Sequence, residues 1–394
     1  MKVVDRVVSR IFLSNDWIDS YNYNFKNPTF LYMPWIKFHG DKLVGQINIS
    51  KQYDIEALHI MKDFDPVKRK KLSKFSRRFP VAYKRMLLEH LEPICLAIKG
   101  LVFTFDWHPA MRILSEVCEE LNIPRILVLH ESVFIDQSKY YTDILTHENT
   151  PLAEHIICWG DLQRDIFLSR GIDKERLTIL GAPKFDRYHN FQASITKKKF
   201  LQTYAFENNK KVILFALQPM DMQVDEKEAR AKQLLAVNDL MDYCVEYNCQ
   251  LVLRMPPARI ELLDEATLSR VDQEKRFICD GLNAYLINAE ESIFYSDVIV
   301  SINSTMLFEA VLMNKVVLST KYIEFEQIWE KIGLPFVQNK EGLYKLLPEL
   351  MQEGLHLDPV SWRWAENNLS AGCFDGRSAQ RICSYLENLI KVKS

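Results

Sequence analysis

The stretch SDVIVSINSTMLFEAVLMNKVVLST, residues 296–320, reads as strand, turn, helix and strand. Residues 298–300 (VIV) form a β-branched apolar run of the kind that fills a strand buried on both faces, so the sheet is expected to be parallel and covered by helices. Asn303, Ser304 and Thr305 supply N-cap chemistry, and residues 306–313 are good helix formers. A helix N-terminus is thereby aimed out of the carboxyl end of a strand. Free backbone N–H groups, hydroxyls and the positive end of the helix dipole meet there, which suits a phosphate. Glu309 lies about one turn inside, within reach of the hydroxyls of a ribose carried by that phosphate. On this segment alone, an ordinary capped helix with Glu309 facing solvent is an equal reading.

Working outward, the chain of 394 residues is long enough for two domains with substantial cores. Hydrophobic residues make up 48% and charged residues 26%, as in an ordinary soluble globular protein. A formal net charge of -2 gives no bias toward nucleic acid or anionic membranes, and no nucleic-acid partner is expected. The 8 cysteines show no CxxC pair or metal-site spacing. They read as reduced thiols of a cytoplasmic protein, and no metal or cofactor is expected. The N-terminus is charged from its second residue and lacks the apolar core of a signal peptide. No window approaches the roughly 20 apolar residues of a membrane span, so any membrane contact is expected to be peripheral.

The first ~95 residues carry the weakest pattern and are expected to be irregular, with strands in PTFLYMPWIKF and VGQINIS. Residues 66–80, PVKRKKLSKFSRRFP, interleave basic with apolar side chains. A solvated helix face is one reading. The other is a surface, carried by Lys68, Arg69, Lys70 and Lys71, that rests on anionic headgroups or receives an anionic acceptor. From Gly100 the strands LVFTFDW, PRILVLHES, EHIICWG and RLTILGAP alternate with helices, which implies right-handed βαβ units and a Rossmann-like domain over residues 1–192. After NFQASITKKKF the alternation resumes through KVILFALQ, a long helix, QLVLRM, RFICD and a helix LNAYLINA, giving a second Rossmann-like domain over 193–394. The last helix, SAQRICSYLENLIKV, can pack back on the first domain. Ligands of such sheets bind beyond the carboxyl ends of the strands, so two domains are expected to share one cleft. Neither GxGxxG nor GxxxxGK[ST] is present, which argues against a dinucleotide dehydrogenase and a P-loop NTPase.

Strand ends are therefore where candidate site residues are sought. The first domain places Asp106 and His108 after one strand and His130 and Glu131 after the next. The second places Gln218 and Asp221 after its first strand, Arg254 at the end of its second, and the 303–305 turn after its fourth. Each residue alone is usually a cap or turn residue; their joint placement is what suggests a site. Arg254 offers a fixed positive charge to a diphosphate or an acidic sugar. Asp221, or His130 with Glu131, can supply the nucleophile or base of glycosyl transfer.

The segments ICWGDLQRDIFLSRGIDKERLTILGAPKFDRY, VILFALQPMD, LVLRMPPAR, SDVIVSINSTMLFEA and FDGRSAQRI together resemble the bacterial surface-polysaccharide transferases of the two-domain GT-B type. That group includes teichoic-acid glycerophosphotransferases, capsule polymerases and retaining β-Kdo transferases. The resemblance covers roughly residues 100–385. It implies an α/β fold of two Rossmann-like domains facing a central cleft, with the SINSTMLFEA segment holding the donor's phosphate and ribose and LHES facing the reacting centre.

Two departures shape the expectation. Met255-Pro256 stands where many relatives have His-Pro, and His130-Glu131 where teichoic-acid enzymes have His-Gly. The resemblance then implies transfer of Kdo from CMP-Kdo to a lipopolysaccharide O-antigen or capsular acceptor at the cytoplasmic face of the inner membrane. Retention of configuration would make Asp221 the nucleophile, with Glu131 second and His130 beside it. Gln218, Arg254, Asn303, Ser304, Thr305 and Glu309 would bind the donor, and Asp106, His108 and the basic segment would meet the lipid-linked or oligosaccharide acceptor. A UDP-sugar transferase, a UDP-GlcNAc 2-epimerase-like enzyme, a CDP-glycerol-type glycerophosphotransferase and a non-catalytic GT-B scaffold are the alternatives.

Overall fold

The computed structural model describes residues 13, 16–18, 21–35, 37–129, 151–219, 224–256, 262–325 and 327–392. Two compact units are present, one made of Met1–Asp186 with Glu366–Ser394 and the other of Arg187–Ala365. The chain passes between these units at residues 186/187 and returns to the first for its last segment.

The first unit is built on β1 (Thr29–Tyr32), β2 (Asp54–Ala57), β3 (Ile98–Phe103), β4 (Arg125–Val128), β5 (His155–Cys158) and β6 (Leu177–Ile179). They form one sheet in the order β2-β1-β3-β4-β5-β6, with every pair parallel. Strands β3, β4 and β5 are apolar on both faces because helices cover both. Gly100 in β3 allows close packing of its neighbours: a Cβ there would meet Ile126 Cδ1 at 2.7 Å and Pro124 O at 2.9 Å. Phe30, Tyr53, Val102 and Ile126 share a core with Ile382 and Leu386 of the helix Ser378–Val392. That helix is anchored where Asp186 accepts hydrogen bonds from Ser378 N and Ala379 N, at 3.1 and 2.7 Å.

The early residues are more regular than their pattern predicts. The VGQI of the expected second strand belongs to the helix Lys37–Ile47, because helical spacing brings Leu43, Val44 and Ile47 onto the core. Residues 66–78 form the expected helix, with Asp65 capping Lys68 N and Pro66 in the first turn.

The second unit contains β7 (Val212–Ala216), β8 (Gln250–Arg254), β9 (Phe277–Asp280), β10 (Val298–Ser301), β11 (Val316–Thr320) and β12 (Phe336–Val337). Their order is β12-β11-β10-β7-β8-β9, and all pairs are parallel. This is the doubly wound arrangement, whose strand order reverses between β7 and β10. The helix expected over LNAYLINA is instead Ala289–Tyr295, capped by Asn288. Residues 281–288 stay extended or turned because the Asp280 carboxylate holds Leu286 N at 2.8 Å and Asn288 is better placed as a cap than inside a helix. Among the described residues no helix is long and apolar enough to cross a membrane.

Candidate functional site

Reversal of strand order opens a crevice beyond the carboxyl ends of the two strands concerned. In the second unit this falls between β7 and β10, and the residues there are linked across it. Ser301 Oγ donates to Ala216 O at 2.7 Å and lies 3.4 Å from Gln218 Oε1, while Ser304 N donates back to Ser301 Oγ at 3.3 Å. Gln218 is fixed through its backbone by Gln233 of the long helix Glu226–Glu246, whose amide accepts from Gln218 N at 3.0 Å and donates to Gln218 O at 3.1 Å. Ser304 is the N-cap of the helix Thr305–Leu312, its hydroxyl accepting from Met306 N, and Trp329 Nε1 donates to Asn303 O. The opening stretch therefore does place a capped helix N-terminus at the switch point.

Glu309 is engaged within the unit. It is buried, and both carboxylate oxygens accept hydrogen bonds within the unit: Oε2 from Tyr188 OH at 2.7 Å and Oε1 from Thr305 Oγ1 at 3.0 Å. It neither faces solvent nor waits for a ligand alone. Burial and the neighbouring carboxylate push the Tyr188 hydroxyl well above the ordinary tyrosine range, so it remains a donor.

Arg254 is also turned inward. Its Nη1 lies 2.9 Å from Asp280 Oδ2, 2.9 Å from Ile287 O and 3.1 Å from Ser292 Oγ, with the guanidinium 4.3 Å above the Tyr285 ring. Asp280 also accepts from Tyr204 OH at 2.8 Å. The positive charge expected to stand ready for a donor thus has a buried counter-ion. The final residues of β8, β9, β10 and β11 are Arg254, Asp280, Ser301 and Thr320, each polar and buried.

In the first unit the order reverses between β1 and β3, and the aromatic and titratable residues after these strands come together. The rings of Trp35 and His108 lie 4.7 Å apart. His108 Nδ1 accepts from Ala110 N at 3.1 Å, which leaves the ring proton on Nε2, where it meets Ser73 Oγ at 2.9 Å. Asp106 is wholly buried; its Oδ2 accepts from Leu152 N at 2.6 Å and Ala153 N at 3.4 Å, and its Oδ1 has no hydrogen-bond partner among the described residues. Burial pushes this carboxyl up to about 6, against the pull of the two backbone donors. Asp106 and His108, expected to meet an acceptor, lie beyond β3 at the reversal of this unit's strand order.

The basic segment does not present four equivalent cations. Lys71 pairs with Asp16 at 3.0 Å, Lys68 lies 3.8 Å from the same carboxylate and donates to Lys62 O, and Arg69 reaches Trp35 O at 3.4 Å. Of the four only Lys70 is fully exposed; the outer face continues through Lys74, Arg77 and Arg78, flanked by exposed Val67 and Val81. The three expected catalytic residues, Asp221, Glu131 and His130, lie outside the described residues. Among the described residues no group of three His, Cys, Asp or Glu is placed to hold a metal ion. Burial pushes the thiols of Cys118 and Cys158 up to about 12, far from thiolate chemistry.

Sequence reading did not identify Tyr188, Gln233, Tyr204 and Ser292 as site partners. None carries a local signal, since each sits among mixed polar and apolar neighbours and needs a partner only once folding buries it.

No family model matches the chain, and no curated protein does. Solved structures do. The UDP complex of S. aureus MnaA is 16% identical, with a TM-score of 0.60 over 93% of this chain and 97% of that one. UDP-GlcNAc 2-epimerase from Neisseria meningitidis bound to UDP-GlcNAc is 12% identical, with a TM-score of 0.61 over 92% of this chain and 100% of that one. The wall teichoic acid polymerase TagF, soaked with CDPG, is 15% identical, with a TM-score of 0.57 over 100% of this chain and 97% of that one. With two parallel six-stranded sheets flanked by helices, the chain has the GT-B type of fold that these proteins share.

Proposed function

We propose that the chain is a nucleotide-sugar-dependent glycosyltransferase whose second unit takes the donor's phosphates at the N-terminus of the helix Thr305–Leu312. One observation supports this reading most: in both units polar residues singled out from the sequence gather where strand order reverses, Gln218 and Ser304, linked through Ser301, in one and Asp106 and His108 in the other. The similar structures include complexes with UDP and with UDP-GlcNAc, which favours a nucleoside diphosphate as the donor's leaving group. Kdo from CMP-Kdo, with Asp221 as nucleophile and Glu131 and His130 beside it, rests on the sequence resemblance alone. So do a lipopolysaccharide or capsular acceptor and work at the inner membrane. In this reading Lys70, Lys74, Arg77 and Arg78 form the cationic face that meets anionic lipid.

Thermal shift with UDP, CDP, GDP and CMP tests the donor site, since a ligand at a hundred times its Kd stabilises by about 2.7 kcal/mol. Stabilisation by a nucleoside diphosphate and by none of the others supports the reading. A response to CMP alone moves it to a CMP-sugar, and no response to any leaves a scaffold.

A second reading, a sugar-nucleotide epimerase, is favoured by Asp106. A buried carboxyl pushed up to about 6 can take and return a proton at neutral pH. Conversion of UDP-GlcNAc to its 2-epimer or to free UDP without any acceptor selects this reading over the transferase.

A further inference from the structure

The second unit has another pocket, at the edge of the sheet opposite the switch point. It measures about 410 Å³ and lies at the amino ends of β10 and β11, where residues 294–297 and 314–316 meet the start of the helix Lys197–Thr203. That volume is within the ~300–1,000 Å³ of small-molecule sites.

Its lining has a definite chemistry. Lys315 is half-buried, and its ammonium sits 5.1 Å above the ring of Phe294. It makes no ion pair among the described residues, and burial holds its pKa below the ordinary lysine range. Asp297 opposes that shift in part, and Lys197, also lining the pocket, adds a like charge that lowers it. The one carboxylate in the lining is already engaged: Asp297 Oδ1 accepts from Lys211 Nζ at 2.9 Å and Oδ2 from Val212 N at 2.9 Å. Phe294 is held from behind by Phe191, with ring centroids 5.5 Å apart, and Tyr295 is fixed by donating its hydroxyl to Ile195 O. Lys315 above the Phe294 ring and Lys197 in the lining outnumber the single carboxylate, which is shared with Lys211. Such an arrangement favours an anion whose body has a face to lay against the ring.

We propose that this pocket binds a phosphorylated small molecule of sugar-phosphate size, its phosphate between Lys315 and Lys197 and its ring against Phe294. The site is separate from the donor position and does not depend on the transferase reading. Sugar phosphates and nucleoside monophosphates share this chemistry, so both serve as probes, with inorganic phosphate to separate recognition of the anion from that of the ring.

Competitive amine labelling of the full chain, read peptide by peptide by mass spectrometry, gives a signal confined to the site. Lys315 is expected to label faster than the exposed Lys198 and Lys199, and millimolar glucose 6-phosphate or UMP to slow Lys315 at least fivefold while Lys391 is unchanged. Greater protection by one of the two esters identifies which source the ring contact prefers. Inorganic phosphate should protect less than either, and glucose not at all. Lys315→Met, which keeps the aliphatic stem, is expected to lose ester binding at least tenfold by calorimetry, and Lys315→Arg to retain most of it. Equal protection by glucose, no protection at 10 mM ester, or full ester binding at this site by Lys315→Met overturns the proposal.

Discussion

Replacing Glu309 should destabilise the second unit rather than only weaken ligand binding. The Tyr188 hydroxyl and the Glu309 carboxylate are both buried and 2.7 Å apart, so alanine at 309 leaves a buried hydroxyl with no acceptor. An orphaned buried donor costs about 1–3 kcal/mol, and the lost bond from Thr305 adds about 1 kcal/mol. Against this, alanine improves helix propensity by less than about 0.7 kcal/mol. The net loss is then about 2–3 kcal/mol, or a fall in Tm of roughly 4–10 °C for a unit of this size. Glu309→Gln keeps an acceptor for Tyr188 and should lose about 1 kcal/mol. Tyr188→Phe combined with Glu309→Ala closes a double-mutant cycle, and a hydrogen bond to a charged group predicts a coupling of about 1.5–3 kcal/mol. Urea unfolding followed by far-UV circular dichroism measures each corner, and nucleotide titration of the same samples separates binding from folding. Effects that add to within about 0.5 kcal/mol, or a Glu309→Ala protein with unchanged Tm and weakened nucleotide binding, would refute the arrangement.

Asp106→Asn should raise stability above pH 6 while lowering activity. Below about pH 4 the carboxyl is protonated whether the chain is folded or not. Between about 4 and 6 the folded chain keeps a proton that the unfolded chain has lost, so stability falls with rising pH and then levels. The shift from 3.8 to about 6 corresponds to roughly 3 kcal/mol at neutral pH, which the neutral asparagine should largely return; a melt with no pH dependence over this window counts against it. Neutralising Lys70, Lys74 and Arg77 should cut partitioning onto vesicles containing phosphatidylserine about a hundredfold, at about 1 kcal/mol per residue, while Lys71→Ala should leave flotation nearly intact. Gly160→Ala should destabilise the first unit by at least about 1–3 kcal/mol, because the new Cβ would sit 2.4 Å from the carbonyl carbon of Asn368. Proteolysis of residues 366–394 that is no faster in that variant would speak against their docking.

Strands buried on both faces were readable because their signal is local: the LVF of β3, VILFA of β7 and VIV of β10 are apolar without alternation. The half-buried DIEA of β2 carries no such signal, and the helix Lys37–Ile47 hides behind Gly40 and Gly45, which lower helix propensity without preventing it. At the site, the residues of the switch points were visible because strand ends can be found from the strands. Their partners were not. Tyr188 is 121 positions from Glu309 and Asp280 is 26 from Arg254, and no local pattern reports a contact made by tertiary folding. The sequence thus showed which side chains reach the edge of the sheet, but not which of them are already neutralised there.

That neutralisation has an energetic consequence. The bodies of β8, β9 and β10 read QLVL, FIC and VIV, and each ends in a buried polar residue, Arg254, Asp280 and Ser301. Burying an ion pair costs several kcal/mol per ion before the attraction repays it, and apolar residues of similar volume commonly serve stability as well or better. The Arg254–Asp280 pair, tied further by Tyr204, Ser292 and Leu286 N, is therefore poorly explained as a stabilising device. It is better explained by what it fixes. Asp280 pins the loop that follows β9, and Arg254 ties Ile287 O to the end of β8, so the backbone beyond two neighbouring strands is held in one arrangement. Fixed backbone at the carboxyl edge is what recognition of a phosphate through fixed N–H dipoles requires. The pair's departure from an apolar interior falls at the carboxyl edge of the sheet, on the side of β7 away from β10, and the fixing of those loops accounts for it better than packing does.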